Sequence, residues 1–468
     1  MKIHVENFGK IEYAEIDISN FSIFVGENNS GKTYLMQLIY GIISSLTSNE
    51  FKSYAQKQNI IKEINDDIVF DAKDNEFINT FSKIINRFIT KNLKNILLKT
   101  FHTQSFFSIE LKVFLLFEPL NSKFVIKRCK DFAISDFGDA PIVDAYEFFK
   151  DKRKRWRIGF PEGWSPSKTN YYLTQRLILL VLSSYISNTT PNDNPVIYLP
   201  ASRSGIMLLY SNYLANENTK LTNNKYDTEI VIEDRFHISD SPIIVQEDNI
   251  ENEYGLTEPV YNFLMFLLNH KESEIQYSNN YEILEFINNK IIDGKLTKVG
   301  NSMRYTPKDS ENSIPIFLSS SLVSELAPIC QVLSGIQKFD YILYDEIETC
   351  QHPTKQIELA RLLMRMVNTG YKMIVSTHSC TMAAAINNLI TLSAKGNKEE
   401  LAVKLGYEKE DLINPTNIHA YQFIVSDGRT KVEELPNHFS IGVGFDFTLF
   451  NKANEKIYED AVSLAEEY

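Results

Sequence analysis

One eight-residue segment constrains the fold of this chain more than any other: Gly26, Glu27, Asn28, Asn29, Ser30, Gly31, Lys32 and Thr33. It matches the spacing G-x-x-x-x-G-K-[ST], with an apolar run before it (Phe21 to Val25) and a helical pattern after it (Tyr34 to Gly41). The pattern predicts a strand, a phosphate-binding loop and a helix. A chance match in a turn is the alternative, and the flanking strand and helix disfavour it.

The chemistry of this loop explains its residue types. Two glycines allow the backbone to curl until its N–H groups face phosphate oxygens, and the helix start adds the positive end of a dipole. We expect Lys32 to reach the β- and γ-phosphates of ATP and the Thr33 hydroxyl to hold Mg²⁺. The other six residues of the segment are predicted to bind ATP as well.

The composition is that of an ordinary globular protein. Of 468 residues, 43% are hydrophobic and 23% charged, and the length alone predicts about three domain-sized units. The net charge of −12 argues against a surface that is basic throughout, although a local basic patch remains possible.

The cysteines and the apolar runs bear on location. The four cysteines lie far apart without a C-x-x-C pair, so neither a zinc site nor a disulfide framework is expected. The longest apolar stretch, Leu177 to Leu182, is too short to span a bilayer, and the first residues show no secretory pattern. We therefore expect a cytoplasmic protein.

A second pair of strands carries polar residues at its tips. The run Phe339 to Tyr344 ends in Asp345 and Glu346, and Lys372 to Thr377 ends in His378 after one intervening helix. An acid at such a tip can hold Mg²⁺, which we assign to Asp345, and Glu346 can polarise the attacking water. His378 could sense a γ-phosphate. The alternatives are a strand that simply ends at a polar turn and a structural histidine.

Three serines, Ser319, Ser320 and Ser321, join a predicted strand to an apolar helix. Free N–H groups at a helix start can bind an anion, but serine is also an ordinary helix N-cap. On the residues alone, the N-cap interpretation is preferred.

The order of these motifs, from phosphate loop through serine segment and acidic strand to histidine strand, resembles the ATP-binding-cassette (ABC) head of the SMC, recombination-repair and OLD ATPases. It is most similar to the small bacterial AAA15 ATPases of anti-phage systems such as PARIS and Septu. The resemblance covers residues 1–46, 195–205 and 314–435. It implies an α/β fold: an ABC-ATPase head, with a mixed β-sheet, flanking helices and a P-loop, that carries a helical insertion.

The resemblance also implies roles and partners. Ser319, Ser320 and Ser321 would cap the ATP of a second copy, Glu346 would be the catalytic base and His378 the switch histidine. ATP and Mg²⁺ are the implied cofactors, and a homodimer or higher oligomer is the implied assembly. Three features depart from the family: the serine segment lacks paired glycines, Ile347 replaces the usual proline, and Gln104 is only a weak candidate for the glutamine that links metal to arm.

The expected organisation divides the head into separated pieces. Residues 1–130 form its first part, 131–194 a basic and helical insertion, 195–205 a core strand, 206–294 a helical insertion or dimerisation arm, and 295–468 its second part. Near the C-terminus, Ser426-Asp427-Gly428-Arg429 predicts a hairpin, and the metal-binding acids of a Toprim nuclease are not found there.

Two further segments leave their roles open. The run 150–157, with six basic residues around Trp156, could bind a nucleic-acid backbone, but a solvated helix face or loop is the preferred interpretation. Arg203, in a segment that recurs among these ATPases, has no role that the sequence can assign.

The leading hypothesis is an ATP-dependent switch in which two heads sandwich two ATP molecules and control a separate effector, such as a Toprim or HNH nuclease, in anti-phage defence. The alternative is a DNA repair or recombination ATPase of the SMC or RecF type, with the basic run as its DNA contact. A third interpretation is a scaffold that binds ATP and hardly hydrolyses it.

Overall fold

The computed structural model describes residues 1–18, 20–58, 60–61, 67–103, 110–129, 142–161, 164–186, 195–201, 203–207, 256–271, 280–299, 302–439 and 443–466. Gln104, Ser202 and residues 208–255 of the predicted arm lie outside these ranges. No helix in the described ranges is long and apolar enough to cross a membrane.

The strands, in chain order, are β1 (Lys2–Phe8), β2 (Ile11–Asp17), β3 (Phe21–Gly26), β4 (Ile68–Asp71), β5 (Lys112–Leu116), β6 (Lys123–Arg128), β7 (Ile142–Lys150), β8 (Arg153–Pro161), β9 (Val196–Leu199), β10 (Gly294–Val299), β11 (Ser302–Pro307), β12 (Ile314–Pro315), β13 (Tyr341–Tyr344), β14 (Lys372–Thr377), β15 (Ile418–Ser426), β16 (Arg429–Glu434), β17 (Asn437–His438) and β18 (Val443–Phe445).

The α-helices are α1 (Lys32–Thr47), α2 (Asn49–Gln56), α3 (Asn75–Phe101), α4 (Pro166–Ile186), α5 (Glu258–Asn269), α6 (Tyr281–Phe286), α7 (Ser321–Ser334), α8 (Pro353–Asn368), α9 (Cys380–Ser393), α10 (Lys398–Leu405) and α11 (Thr448–Glu466). A π-helical turn, Ile287–Ile291, continues α6.

The main sheet has nine strands in the order β5-β1-β2-β16-β15-β3-β14-β13-β9. Its central strands, from β15 through β3, β14 and β13 to β9, are all parallel, whereas β1 pairs antiparallel with β2 and β5. Parallel strands place their carboxyl ends at the same edge of a sheet. The ends of β3, β13, β14 and β9 therefore lie together, and the predicted site residues follow three of these ends.

The central strands are buried on both faces, as their nearly unbroken apolar runs require. On β13, Tyr341 and Leu343 belong to the hydrophobic core on one face of the sheet, which also includes residues of α1, α3 and α4. Ile342 and Tyr344 belong to the core on the opposite face, which also includes residues of α7, α8 and α9. This alternation follows from the two-residue period of a strand. The mixed sheet with flanking helices, predicted from the sequence, is confirmed.

A second, antiparallel sheet has the order β4-β6-β7-β8. The run 150–157 forms the end of β7, a turn with Asp151 at φ 57°, and the edge strand β8. Helix face or loop was therefore the wrong interpretation. The signal that it missed is the alternation of Trp156, Ile158 and Phe160, which is typical of a strand. In the segment 131–194, two strands precede the single described helix α4.

Strand β6 belongs to this second sheet, where it pairs with β4 and β7. The strand predicted before the three serines covers only β12, and Ile316–Leu318 form a 3₁₀ turn that leads into α7. Strands β15 and β16 form the predicted hairpin. Because β15 pairs with β3, this hairpin is part of the central sheet.

Candidate active site

The loop between β3 and α1 has a backbone that needs its two glycines. Gly26 has φ 152°, and a Cβ atom there would lie 2.8 Å from the carbonyl oxygen of Phe423. Gly31 has φ 99° and caps α1 without a side-chain hydrogen bond. The first N–H groups of α1 therefore have no side-chain acceptor, which is the arrangement that binds a phosphate at a helix start.

Lys32 is buried at the centre of this loop. Its Nζ donates to the carbonyl oxygens of Gly26 at 2.9 Å and Glu27 at 2.8 Å, and to Ser30 Oγ at 3.2 Å. Burial lowers the pKa of Lys32 to about 8, although the charges of Asp345 and Glu346 act in the opposite direction. The loop thus holds an amine whose charge is costly until an anion binds beside it.

The Thr33 hydroxyl donates to Asp345 Oδ2 at 2.8 Å, which joins the start of α1 to the end of β13. Asp345 is 1% exposed and accepts two more hydrogen bonds, one from Tyr198 OH at 2.9 Å and one from Ser376 Oγ. Burial raises the pKa of Tyr198 well above its usual value, so this hydroxyl remains a donor. Sequence reasoning did not identify Tyr198 or Ser376, because a strand pattern does not reveal which neighbour faces a carboxylate.

Thr33 and Asp345 fit a Mg²⁺ ion by their chemistry. Both present oxygen atoms, which Mg²⁺ prefers, and a magnesium bound with a nucleotide needs only one or two protein ligands. In the described part of the chain, no group of three or more His, Cys, Asp or Glu side chains could hold a metal by itself. When bound, Mg²⁺ would neutralise charge on the phosphates; Thr33 and Asp345 are the residues that would hold it.

Glu346 and His378 lie next to each other and to Lys32. His378 Nε2 is 3.3 Å from Glu346 Oε1, and His378 Nδ1 is 3.4 Å from Lys32 Nζ. A neutral imidazole with its proton on Nε2 satisfies both contacts, because it donates to the carboxylate and accepts from the amine. The hydrogen bond from His378 lowers the pKa of Glu346, so this half-buried carboxyl stays ionised at neutral pH.

The backbone after Asp345 is unusual. Glu346 has φ 43°, a left-handed conformation that is uncommon outside glycine and asparagine. The N–H of Ile347 donates to the carbonyl oxygen of Ser376 at 3.2 Å, a bond that proline cannot make. The isoleucine that departs from the family pattern therefore has a local role. Glu348 fixes the next strand end, since its Oε1 accepts from the N–H of His378 at 2.5 Å.

Comparison with known protein families gives a match over most of the chain. Residues 1–383 match the family AAA_15, described as an AAA ATPase domain. The chain belongs to the AAA_15 family. No curated protein matches it. The match ends at residue 383, whereas the sheet of this AAA_15 protein is completed by β15 and β16 beyond it.

Three solved structures are similar to this AAA_15 chain at low identity. The SMC head bound to the C-winged helix domain of ScpA has 12% identity and a TM-score of 0.35, covering 94% of this chain and 99% of that one. The SMC head domain from Thermotoga maritima has 11% identity and a TM-score of 0.32, covering 93% of this chain and 98% of that one. The third structure is the SMC head domain with an extended coiled coil, bound to the C-terminal domain of ScpA, from Pyrococcus furiosus. It has 11% identity and a TM-score of 0.33, covering 100% of this chain and 98% of that one.

The serine segment starts α7. Ser320 is its N-cap but makes no side-chain cap hydrogen bond, and both Ser320 and Ser321 are exposed. Ser319 Oγ donates to the carbonyl oxygen of Ile316 at 2.5 Å. The two residues before the serines, Phe317 and Leu318, are 53% and 64% exposed. The structure thus gathers Lys32, Thr33, Asp345, Glu346 and His378 in one place and presents the serines at the surface.

The basic run offers a different surface. The guanidinium of Arg176 lies 5.3 Å from the ring of Trp156, and Phe148 contacts the same ring edge-on. Arg157 forms an ion pair with Glu147 at 2.5 Å. Trp156 already has aromatic and cationic neighbours within its own domain, so base stacking on it would compete with these contacts.

Proposed function

We propose that this AAA_15 protein binds Mg·ATP at the loop Gly26–Thr33 and hydrolyses it. The convergence of Lys32, Thr33, Asp345, Glu346 and His378 carries this proposal. Backbone N–H groups and Lys32 hold the phosphates, and Thr33 with Asp345 hold Mg²⁺. The nucleotide-binding role of all eight loop residues and the metal role of Asp345 belong to the same proposal.

The chemical step uses Glu346 and His378. Glu346 orients a water and takes its proton as the water oxygen bonds to the γ-phosphorus and the bond to ADP breaks. His378 donates to Glu346 from Nε2, which orients the carboxylate. The ammonium group of Lys32 offsets negative charge on the γ-phosphate during this step. Because Lys32 is buried, the low dielectric of its surroundings strengthens this electrostatic interaction.

We propose further that two copies enclose the nucleotide, with Ser319, Ser320 and Ser321 of one copy closing over the ATP of the other. Two observations support an intermolecular role: the serines lie at an exposed, uncapped helix start, and Phe317 and Leu318 beside them expose apolar surface. An exposed apolar pair next to polar groups is a common feature of a contact surface.

The cellular role that we propose rests on the resemblance to anti-phage ATPases. Opening and closing of the two heads would hold or release a separate effector, such as a Toprim or HNH nuclease. Co-expression with the protein encoded next to it tests this role: an ATP-dependent complex supports it. ATPase activity that rises with duplex DNA, and DNA binding that weakens steeply with salt, would instead support the repair alternative.

The enzymatic proposal is tested by phosphate release from Mg·ATP. The wild type should release phosphate, while Lys32→Ala should neither bind ATP nor release phosphate. Lys404→Ala, an exposed lysine on α10, is the matched control and should behave as the wild type. Wild type that binds ATP and releases no phosphate under any condition would favour the scaffold interpretation.

A further inference from the structure

Arg203 is a fully buried arginine that binds the backbone next to the candidate site. It is 1% exposed, and its Nη1 donates to the carbonyl oxygens of Asp345 at 2.6 Å and Pro200 at 2.8 Å. Its Nη2 donates to the carbonyl oxygen of Glu346 at 3.0 Å, and its guanidinium lies 4.7 Å from the ring centre of Tyr344. One side chain therefore holds the backbone of both candidate acids.

The hydrogen bonds from Arg203 are important because the Glu346 backbone is strained. At φ 43° the residue has a conformation that the surrounding contacts must maintain. Its carbonyl oxygen accepts from Arg203 and from Thr349 Oγ1 at 2.8 Å, and its N–H donates to Ser376 Oγ at 2.8 Å. The direction of the Glu346 side chain towards His378 depends on that conformation.

The other edge of the guanidinium contacts α7. Arg203 Nε lies 2.9 Å from Glu325 Oε2, and Glu325 is also 1% exposed. Glu325 Oε1 accepts from the N–H of Ser204 at 3.0 Å. Glu325 is five residues beyond Ser320, so the ion pair fixes the first turns of the helix that begins with the serine segment.

We propose that Arg203 and Glu325 are positioning residues that couple the serine segment of one chain to Glu346 of the same chain. The inference rests on the proposed function. Separating a buried ion pair leaves two charges without partners, so the pair resists separation. A displacement of the start of α7, when it meets a second copy, is therefore transmitted through Arg203 to the carbonyls of Asp345 and Glu346. When the serine segment of one chain closes over the nucleotide of the second copy, hydrolysis of the nucleotide bound to the first chain is therefore affected.

The test separates positioning from stability. Glu325→Gln keeps the size and an acceptor for Ser204 but removes the charge that faces Arg203. We expect kcat for ATP to fall about tenfold or more, with the Kd for Mg·ATP within about threefold of wild type, as expected for a group that acts on the reaction and not on ground-state binding.

Asp411→Asn is the matched control. Asp411 is a buried acid paired with Arg361 and Arg365 at 2.8 Å each, and it is bound by helix α8. We expect Asp411→Asn to lower the melting temperature about as much as Glu325→Gln does, while leaving kcat within about twofold of wild type. Loss of kcat in Asp411→Asn equal to that in Glu325→Gln would overturn the proposal, because general destabilisation would then explain both.

A paired substitution keeps the test decisive if the single variant folds poorly. Arg203→Met with Glu325→Leu removes both charges and fills the space with apolar side chains, which buried ion pairs often tolerate. We expect normal ATP binding and a kcat that stays at least about tenfold low, because the carbonyls of residues 345 and 346 lose their donor.

The outcomes distinguish the two proposals. Wild-type kcat in either Glu325→Gln or the paired variant would overturn the coupling alone. Wild type without hydrolysis would overturn the proposed function, and the coupling with it.

Discussion

Thr33 Oγ1 and Asp345 Oδ2 lie 2.8 Å apart although 312 positions separate them in the chain. The contact forms because β3 and β13 flank β14 in a parallel sheet, so that their carboxyl ends share one edge. It places side by side the two oxygen atoms that we propose as ligands of a nucleotide-bound Mg²⁺.

Glu346→Gln should separate ATP binding from hydrolysis. The amide keeps the size of the side chain but cannot take a proton from water, so phosphate release should fall by about 100-fold or more, with Mg·ATP affinity nearly unchanged. Single-turnover assays with labelled ATP measure both quantities. Glu433→Gln, an exposed acid on β16, should leave both at wild-type values. Rapid hydrolysis by Glu346→Gln would remove Glu346 from its proposed role.

Tyr198→Phe should weaken Mg²⁺ binding. The tyrosine hydroxyl donates to Asp345 at 2.9 Å, and loss of a group that orients a metal ligand typically reduces metal affinity about 10-fold or more. Titration of Mg²⁺ into the ATP complex, followed by hydrolysis rate, measures this change.

Tyr341→Phe is its matched control. Tyr341 is buried on β13, and its hydroxyl has no hydrogen-bond partner among the described residues, so its removal should be neutral for Mg²⁺ and should not destabilise the fold. Equal Mg²⁺ affinity in both variants would show that Tyr198 does not orient Asp345.

ATP affinity should fall as the pH rises through about 8, the pKa to which burial lowers Lys32. Below this value the amine of the free protein is charged and binds phosphate directly. Above it, binding must take up a proton, so the Kd should rise by up to about tenfold per pH unit. Calorimetry at pH 7 and pH 9 measures the change.

Lys32→Arg gives the control for this pH dependence, because its guanidinium stays charged over the range. This variant should bind ATP more weakly than the wild type at every pH, and its Kd should not change between pH 7 and 9. A wild-type Kd that is equally constant would contradict the assignment of the titrating group.

Ser320→Arg should abolish hydrolysis without unfolding the protein. Ser320 makes no side-chain cap hydrogen bond and is exposed, so stability should change by about 0.5 kcal/mol or less. A bulky charged side chain at the start of α7 would prevent that surface from closing over a second copy's nucleotide. Ser463→Arg, on the exposed face of α11, is the control. Full activity in Ser320→Arg would exclude the serine segment from the site.

Much of the site could be predicted from the sequence because its chemistry follows strand ends. The loop Gly26–Thr33 has a fixed spacing, and Asp345, Glu346 and His378 each follow an apolar run. These are local signals, and parallel strands convert them into proximity. The family assignment, confirmed over residues 1–383, depends on the same signals.

The remaining features depend on contacts between distant segments. Tyr198, Ser376 and Arg203 each bind Asp345 or its backbone. Nothing in the strands of Tyr198 and Ser376 distinguishes them from ordinary strand residues, and the recurring segment around Arg203 does not indicate which groups its side chain binds. The basic run was misinterpreted for a different reason: its charges obscured the two-residue alternation of Trp156 and Ile158 that makes β8 a strand. A run of charges indicates an exposed surface, whereas the spacing of the apolar residues indicates whether a segment is a strand or a helix.

The proposed switch requires a nucleotide pocket that two copies of the chain complete. Sedimentation of Glu346→Gln with and without Mg·ATP tests this directly, because slow hydrolysis should trap the closed assembly. We predict a larger species that appears only with Mg·ATP and is lost in Glu346→Gln combined with either Lys32→Ala or Ser320→Arg. A Glu346→Gln protein that binds ATP tightly and shows the same sedimentation with and without nucleotide would contradict the account.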